Sequence, residues 1–150
     1  MLSILPITTS QTLPLRHSIL RPGRPITSAH FPGDDHPTTH HFGAFRDSQL
    51  LGISSLYLAE MPEMPKLHAF QLRGMAVAPE ARGTGLGREL TLACSAFAKE
   101  NAAELLWCNA RTEAAGFYHK LGFQIVGERF DIPDVGPHFR MMLSLKSNER

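Results

Sequence analysis

The chain has 150 residues, 43% of them hydrophobic and 19% charged, with a formal net charge of +1 at pH 7. That length supports a single domain with its own core, and the near-neutral balance argues against nucleic-acid binding or a polybasic hold on a membrane. The two cysteines, Cys94 and Cys108, lack CxxC spacing and fit a reducing compartment, while no apolar run approaches the ~20 residues of a membrane span.

The opening segment MLSILPITTS is apolar, broken by Pro6 and without a basic leader. It speaks against a signal peptide, so the expected location is the cytoplasm. Residues 2 to 5 read as a short strand. The spacing of Leu13, Leu15, Ile19 and Leu20 predicts a helix over 8–20, capped by Thr8, Thr9 or Ser10, with Pro14 awkward inside it. Residues 21–39 are punctuated by Pro22, Gly23, Pro25, Pro32, Gly33 and Pro37. A loop this long inside a compact domain is usually functional or disordered. Strands are predicted over 41–46 and 50–58, joined through Asp47-Ser48-Gln49 as a hairpin. A second loop, interrupted by Pro62 and Pro65, leads into a strand over 72–78.

Next comes VAPEARGTGLGREL, a glycine-rich loop entering a helix. Gly83, Gly85 and Gly87 alternate there, and glycine permits left-handed backbone and close approach of another group. A helix that starts in such a loop points unpaired N–H groups and its positive dipole end at one spot, which suits a phosphate or pyrophosphate. Leu86, Leu90, Ala93 and Phe97 predict one apolar face for this helix, which should end near Asn101. A strand over 104–109 follows, then a short helix over 113–121 capped by Thr112 and stopped by Gly122. Two strands over 123–128 and 138–145, joined by the loop DIPDVGP, complete the pattern; the tail KSNER should fray. This order mixes hairpins with crossovers and predicts an α/β (α+β mixed) sheet with helices on both faces.

Two familiar phosphate loops are excluded by spacing. A Walker A loop needs a lysine after the last glycine, and a dinucleotide fingerprint needs GxGxxG near the start of its unit; here the spacing is GxGxG, past the midpoint. The stretch instead resembles the acyl-CoA-binding signature of the GNAT superfamily of N-acetyltransferases through Val77, Pro79, Arg82, Gly83, Gly85, Gly87 and Leu90. AAGFYHKLGF, residues 114–123, is similar to a second signature of that family, A-x-x-FY-x-x-x-GF. The order of elements matches over nearly the whole chain.

The resemblance implies a GNAT fold, a mixed, mostly antiparallel sheet of about six or seven strands. It also implies acetyl-CoA as co-substrate, no metal, and a small-molecule or peptide amine as acceptor. The backbone of Met75 and Val77 would pair with the pantetheine arm like an added strand. The N–H groups of Arg82, Gly83, Thr84, Gly85, Leu86, Gly87 and Arg88 would hold the pyrophosphate, with the Arg82 and Arg88 side chains adding charge or simply solvated. Tyr118 would assist departure of the CoA thiolate, while its neighbour Phe117 belongs to the core. Where the family often has an asparagine contacting pantetheine, this chain has Arg111; Asn109 takes over that role or caps the next helix, and Arg111 instead reaches a CoA phosphate.

An aliphatic amine must also lose a proton, at a cost of about 4.6 kcal/mol at pH 7. Glu60, Glu63, His68, Glu128 and Asp131 are the candidate bases, and none stands out by spacing. Asp34, Asp35 and His36, with the loop before His138, are expected to shape the acceptor pocket. Arg16, Arg73 and Arg140 are candidates for holding an acceptor carboxylate, Arg73 foremost, with an internal ion pair as the competing role. His36, His40 and His41 lack the convergent partners of a zinc site. Cys108 could carry an acyl group only with a paired base, so a buried structural thiol is expected, and Cys94 reads as helix packing. Rival readings are a non-catalytic acyl-CoA-binding module and an acyltransferase with another acyl chain or a hydroxyl acceptor. A homodimer is compatible with the sequence, although no surface residue argues for it.

Overall fold

Thr8 sets the first boundary of the chain. Its hydroxyl accepts from the Gln11 N–H and the Gln11 side chain accepts from the Thr8 N–H, a complete capping box. It separates β1 (Leu2–Ile7) from α1 (Thr9–Leu15) in a computed structural model that describes residues 1–145. Pro14 sits inside α1 and supplies no N–H to the ladder. The predicted helix therefore does not run on unchanged to residue 20. It widens into a π-helical turn, Arg16–Leu20, closed by the Arg21 N–H on the Arg16 carbonyl at 3.1 Å. The loop that follows contains one 3₁₀ turn, Ile26–Ala29.

The hairpin β2 (His40–Arg46) to β3 (Gln49–Leu58) closes through two residues, Asp47 at φ 52° and Ser48 at φ 71°. Both are left-handed, the signature of the turn whose twist matches the flanking strands. β4 (Ala69–Val77) starts three residues earlier than predicted and contains Gly74 at φ +68°. β5 (Leu105–Arg111), α3 (Ala115–Lys120), β6 (Gln124–Ile132) and β7 (Gly136–Ser144) complete the chain after α2 (Leu86–Glu100). The expected loop DIPDVGP is largely strand. β6 and β7 pair through Asp131↔Pro137 and Ile132↔Gly136, leaving a three-residue connection. The tail KSNER lies outside the described residues.

The seven strands follow the order β1-β2-β3-β4-β5-β7-β6. β1–β2, β2–β3, β5–β7 and β6–β7 are antiparallel, and β4–β5 is parallel over Ala69–Gln71 with Leu105–Trp107. The result is an α/β, GNAT-like fold. The chain groups into two compact units, Met1–Leu58 with Leu72–Phe97, and Ala59–Gln71 with the chain from Ala98 onward. The first unit has a core of Ala44, Leu51, Ala78, Ala81, Leu86 and Leu90; the second, one of Met61, Ala69, Leu105 and Trp107. On α2 the buried stripe runs Leu86, Leu90, Thr91, Cys94 and Ala98, so Ala93 and Phe97 are only half-buried, contrary to the predicted face. Phe97 lies instead against His40 and Phe42, at ring distances of 4.3 and 5.6 Å. Leu105 and Trp107 share one cluster, as strict alternation along β5 requires.

Candidate active site

In the first unit, the glycine loop is shaped by backbone conformation. Gly83 and Gly85 have φ of +78° and +89°, and no atom lies within 4 Å of where a Cβ would stand on either. Glycine is thus demanded by the left-handed backbone and not by crowding, and an L-residue there costs roughly 1–2 kcal/mol. The Thr84 hydroxyl donates to the Ala81 carbonyl and pins the loop from within. The first helical bond of α2 here is Glu89 N–H to Gly85 O at 3.0 Å. The N–H groups of Gly85 through Arg88 precede it, so helix geometry leaves these four as donors for something else. Arg82 is exposed and only loosely tied, its Nε 3.4 Å from the Val77 carbonyl. Arg88 is exposed as well, 3.4 Å from Glu89.

A buried polar network lies beneath the Pro-rich loop, also in the first unit. Arg16, with no exposed surface, donates to both Asp34 oxygens at 2.7 and 3.0 Å, to the Ala29 carbonyl, and to the Ser55 and Tyr57 hydroxyls. Tyr57 donates its own hydroxyl to Asp34 Oδ1, and the Phe31 N–H donates to Oδ2 at 2.7 Å. Burial alone would raise the Asp34 carboxyl, but hydrogen bonds from Arg16, Tyr57 and Phe31 outweigh it and hold the group below its usual range. Tyr57 moves the other way, pushed up to about 12 by burial and by its bond to Asp34. His41 Nε2 faces the Asp34 carbonyl at 3.0 Å, which can only accept, so Nε2 carries a proton, while Nδ1 lies 2.6 Å from the Ser55 hydroxyl.

These contacts correct two expectations. Asp34 is a buried structural carboxylate that offers no group of its own to an acceptor, and Arg16 is unavailable to an acceptor carboxylate. Ser55 and Tyr57 were invisible as partners in the sequence, since they lie far from Arg16 and Asp34 along the chain, and no motif joins His41 to them.

In the second unit, α3 carries Tyr118. Phe123 N–H returns to the Tyr118 carbonyl at 3.1 Å and Gly122 N–H to the His119 carbonyl at 3.0 Å, with Gly122 at φ +100°. This is a Schellman cap. Its customary apolar contact is the pair Tyr118–Phe123, with ring centroids 5.3 Å apart. The spacing FY-x-x-x-GF therefore encodes one helix end, which buries Tyr118 to 7% exposure. Phe117 is 37% exposed, not core as expected, because its position on the short helix faces away from that cap. Thr112 begins a 3₁₀ turn and makes no side-chain cap.

Asn109 Oδ1 accepts from Arg140 Nε at 3.1 Å, and both Glu63 oxygens accept from Arg140 at 3.0 and 3.1 Å. Arg140 also lies 5.1 Å from the Trp107 ring. It is therefore committed, and does not hold an acceptor carboxylate as expected. Glu63, a candidate base, is held by a cation. Arg111 closes β5 opposite His138, half-buried. Glu60, Glu128 and Asp131 are exposed, and His68 Nδ1 faces the Ala102 carbonyl. Among the described residues no three His, Cys, Asp or Glu are grouped to hold a metal, and no helix is long and apolar enough to cross a membrane. Both thiols are buried, and burial pushes Cys94 and Cys108 up to about 12. Each is a packed structural thiol.

A family profile described as acetyltransferase (GNAT) domain matches residues 37–125, more than half of the chain. The chain belongs to the GNAT acetyltransferase family. A curated relative, the uncharacterized N-acetyltransferase YitI of Bacillus subtilis, is 34% identical over 148 residues, 99% of either chain. Among solved structures, Escherichia coli ElaA superposes with a TM-score of 0.77 at 16% identity, over 96% of this chain and all of that one. An aminoglycoside 6′-N-acetyltransferase complexed with coenzyme A gives 0.79 at 13% identity, over 99% of each. This GNAT chain is accordingly an acyltransferase, and its two signature segments are the two ordered helix ends described above.

Proposed function

We propose that this GNAT enzyme transfers the acetyl group of acetyl-CoA directly to a primary amine. The observation that carries this reading is the loop Gly83–Gly87, whose two left-handed glycines feed the start of α2 and leave a run of N–H donors there. Such an arrangement suits a pyrophosphate without a global positive field. Arg82, Gly83, Thr84, Gly85, Leu86, Gly87 and Arg88 would bind it, and the Met75 and Val77 backbone would pair with the pantetheine arm. Arg111 would reach a CoA phosphate, while Asn109, its carbonyl oxygen held by Arg140, would offer its amide nitrogen to pantetheine.

In the reaction the amine nitrogen forms a bond to the thioester carbonyl carbon, backbone N–H groups stabilise the oxyanion, and the C–S bond breaks. The amine proton passes to a base, and Tyr118 gives a proton to the leaving thiolate. The location that fits this chemistry is the cytoplasm, where acetyl-CoA and reduced thiols occur together.

A thiol-release assay over a panel of amines tests the proposal. Acetyl-CoA-dependent thiol should appear with at least one amine, against a low background because Cys94 and Cys108 are buried. Binding of acetyl-CoA by calorimetry with no thiol released to any amine would sink it. Turnover of longer acyl-CoAs in preference to acetyl-CoA would replace the acetyl assignment.

A further inference from the structure

Three guanidinium groups surround one aromatic ring in the first unit. The Phe31 ring has the Cζ of Arg16 at 4.1 Å, of Arg73 at 5.0 Å and of Arg21 at 5.2 Å. One carboxylate, Asp34, answers Arg16. Arg73 differs from its neighbours. It stands over Phe31 and, at 5.1 Å, over Tyr57, and among the described residues its side chain makes no hydrogen bond or ion pair.

A ring attracts a cation without consuming its N–H donors. The fork of Arg73 is therefore left for a planar anion, and a half-buried guanidinium held between two rings has already given up part of its rotamer freedom. Of the three arginines offered by the sequence for an acceptor carboxylate, Arg16 is spent on Asp34 and Arg140 on Glu63 and Asn109. The internal ion pair that competed for Arg73 is not formed among the described residues. Its position is also specific. Arg73 immediately precedes Gly74, the positive-φ residue of β4, and Met75, the first residue proposed above to pair with pantetheine.

We infer that the acceptor is an amine that carries a carboxylate, an amino acid, and that Arg73 binds this carboxylate beside Phe31 and Tyr57. The inference rests on the amine acetyltransferase reading.

The test compares kcat/KM for α-amino acids with that for the matching amines lacking the carboxylate, by thiol release. The wild-type enzyme should favour amino acids by about 10- to 100-fold, the range for a hydrogen bond between charged groups. Arg73→Gln should collapse this ratio through KM for the amino acid, and Arg73→Lys, which keeps charge but not the fork, should restore it only in part. A wild-type preference for decarboxylated amines or for phosphoethanolamine, or an unchanged ratio in Arg73→Gln, overturns the inference. Calorimetry on CoA-loaded protein separates the two readings. If no amine turns over, the transfer reading falls, yet N-acetyl amino acids that bind wild type and not Arg73→Gln still support the carboxylate site. Equal binding of N-acetyl amino acids and N-acetyl amines refutes it.

Discussion

Arg16→Leu should lower the free energy of unfolding by about 3–5 kcal/mol, because it leaves the Asp34 carboxylate buried without its partner. Stability at this level is a large share of what a domain has, so urea unfolding of two milder variants belongs beside it. Asp34→Asn keeps the shape and removes the charge. Arg16→Leu combined with Asp34→Leu removes both charges, and should recover much of the single-variant loss. The same network sets an acid limb. The folded carboxyl of Asp34 lies below its unfolded value, so its contribution is present above the unfolded pKa of about 3.9 and is lost as pH falls through the folded value. Asp34→Asn should flatten that part of the stability-against-pH curve. An equally steep acid limb in Asp34→Asn would rule out this carboxylate as its source.

Tyr118→Phe should reduce kcat by about 10²–10⁴-fold if the phenol protonates the leaving thiolate, the usual range for a positioned general acid. The substitution removes one hydroxyl and keeps the ring that meets Phe123 at 5.3 Å and the cap through Gly122, and thermal unfolding measured beside kcat separates a loss of stability from a loss of catalysis. The effect should fall on kcat and not on acetyl-CoA binding by calorimetry. Full turnover in Tyr118→Phe would remove the residue from the reaction and leave it as packing.

The sequence was most informative where backbone chemistry is local. Gly83, Gly85 and Gly122 each occupy a left-handed position that only a particular turn or cap requires, and their spacing was legible for that reason. The hairpin at Asp47–Ser48 and the start of α2 are likewise local, whereas the far end of α2 is capped by the left-handed Ala102, which no residue type announces. Legibility stopped where partners are remote. Nothing near Arg16 foretells Asp34, Ser55 and Tyr57, and nothing near Arg140 foretells Glu63, because only the sheet brings them together. Burial reverses the reading of such residues: a charged side chain judged available from sequence becomes a structural one once its donors are spent. Arg73 is informative for the converse reason.

The Phe31 amide extends the role of the buried network to motion. It sits in a proline-punctuated segment without a strand of its own, yet it donates to Asp34 Oδ2 at 2.7 Å, while the Asp34 N–H returns to the Phe31 carbonyl at 3.1 Å. The carboxylate that holds that amide is itself held by Arg16 and Tyr57, with almost no exposed surface. Hydrogen exchange at the amide should therefore be as slow as that of the central strands, so this irregular segment opens on the clock of the core and not on that of a surface loop.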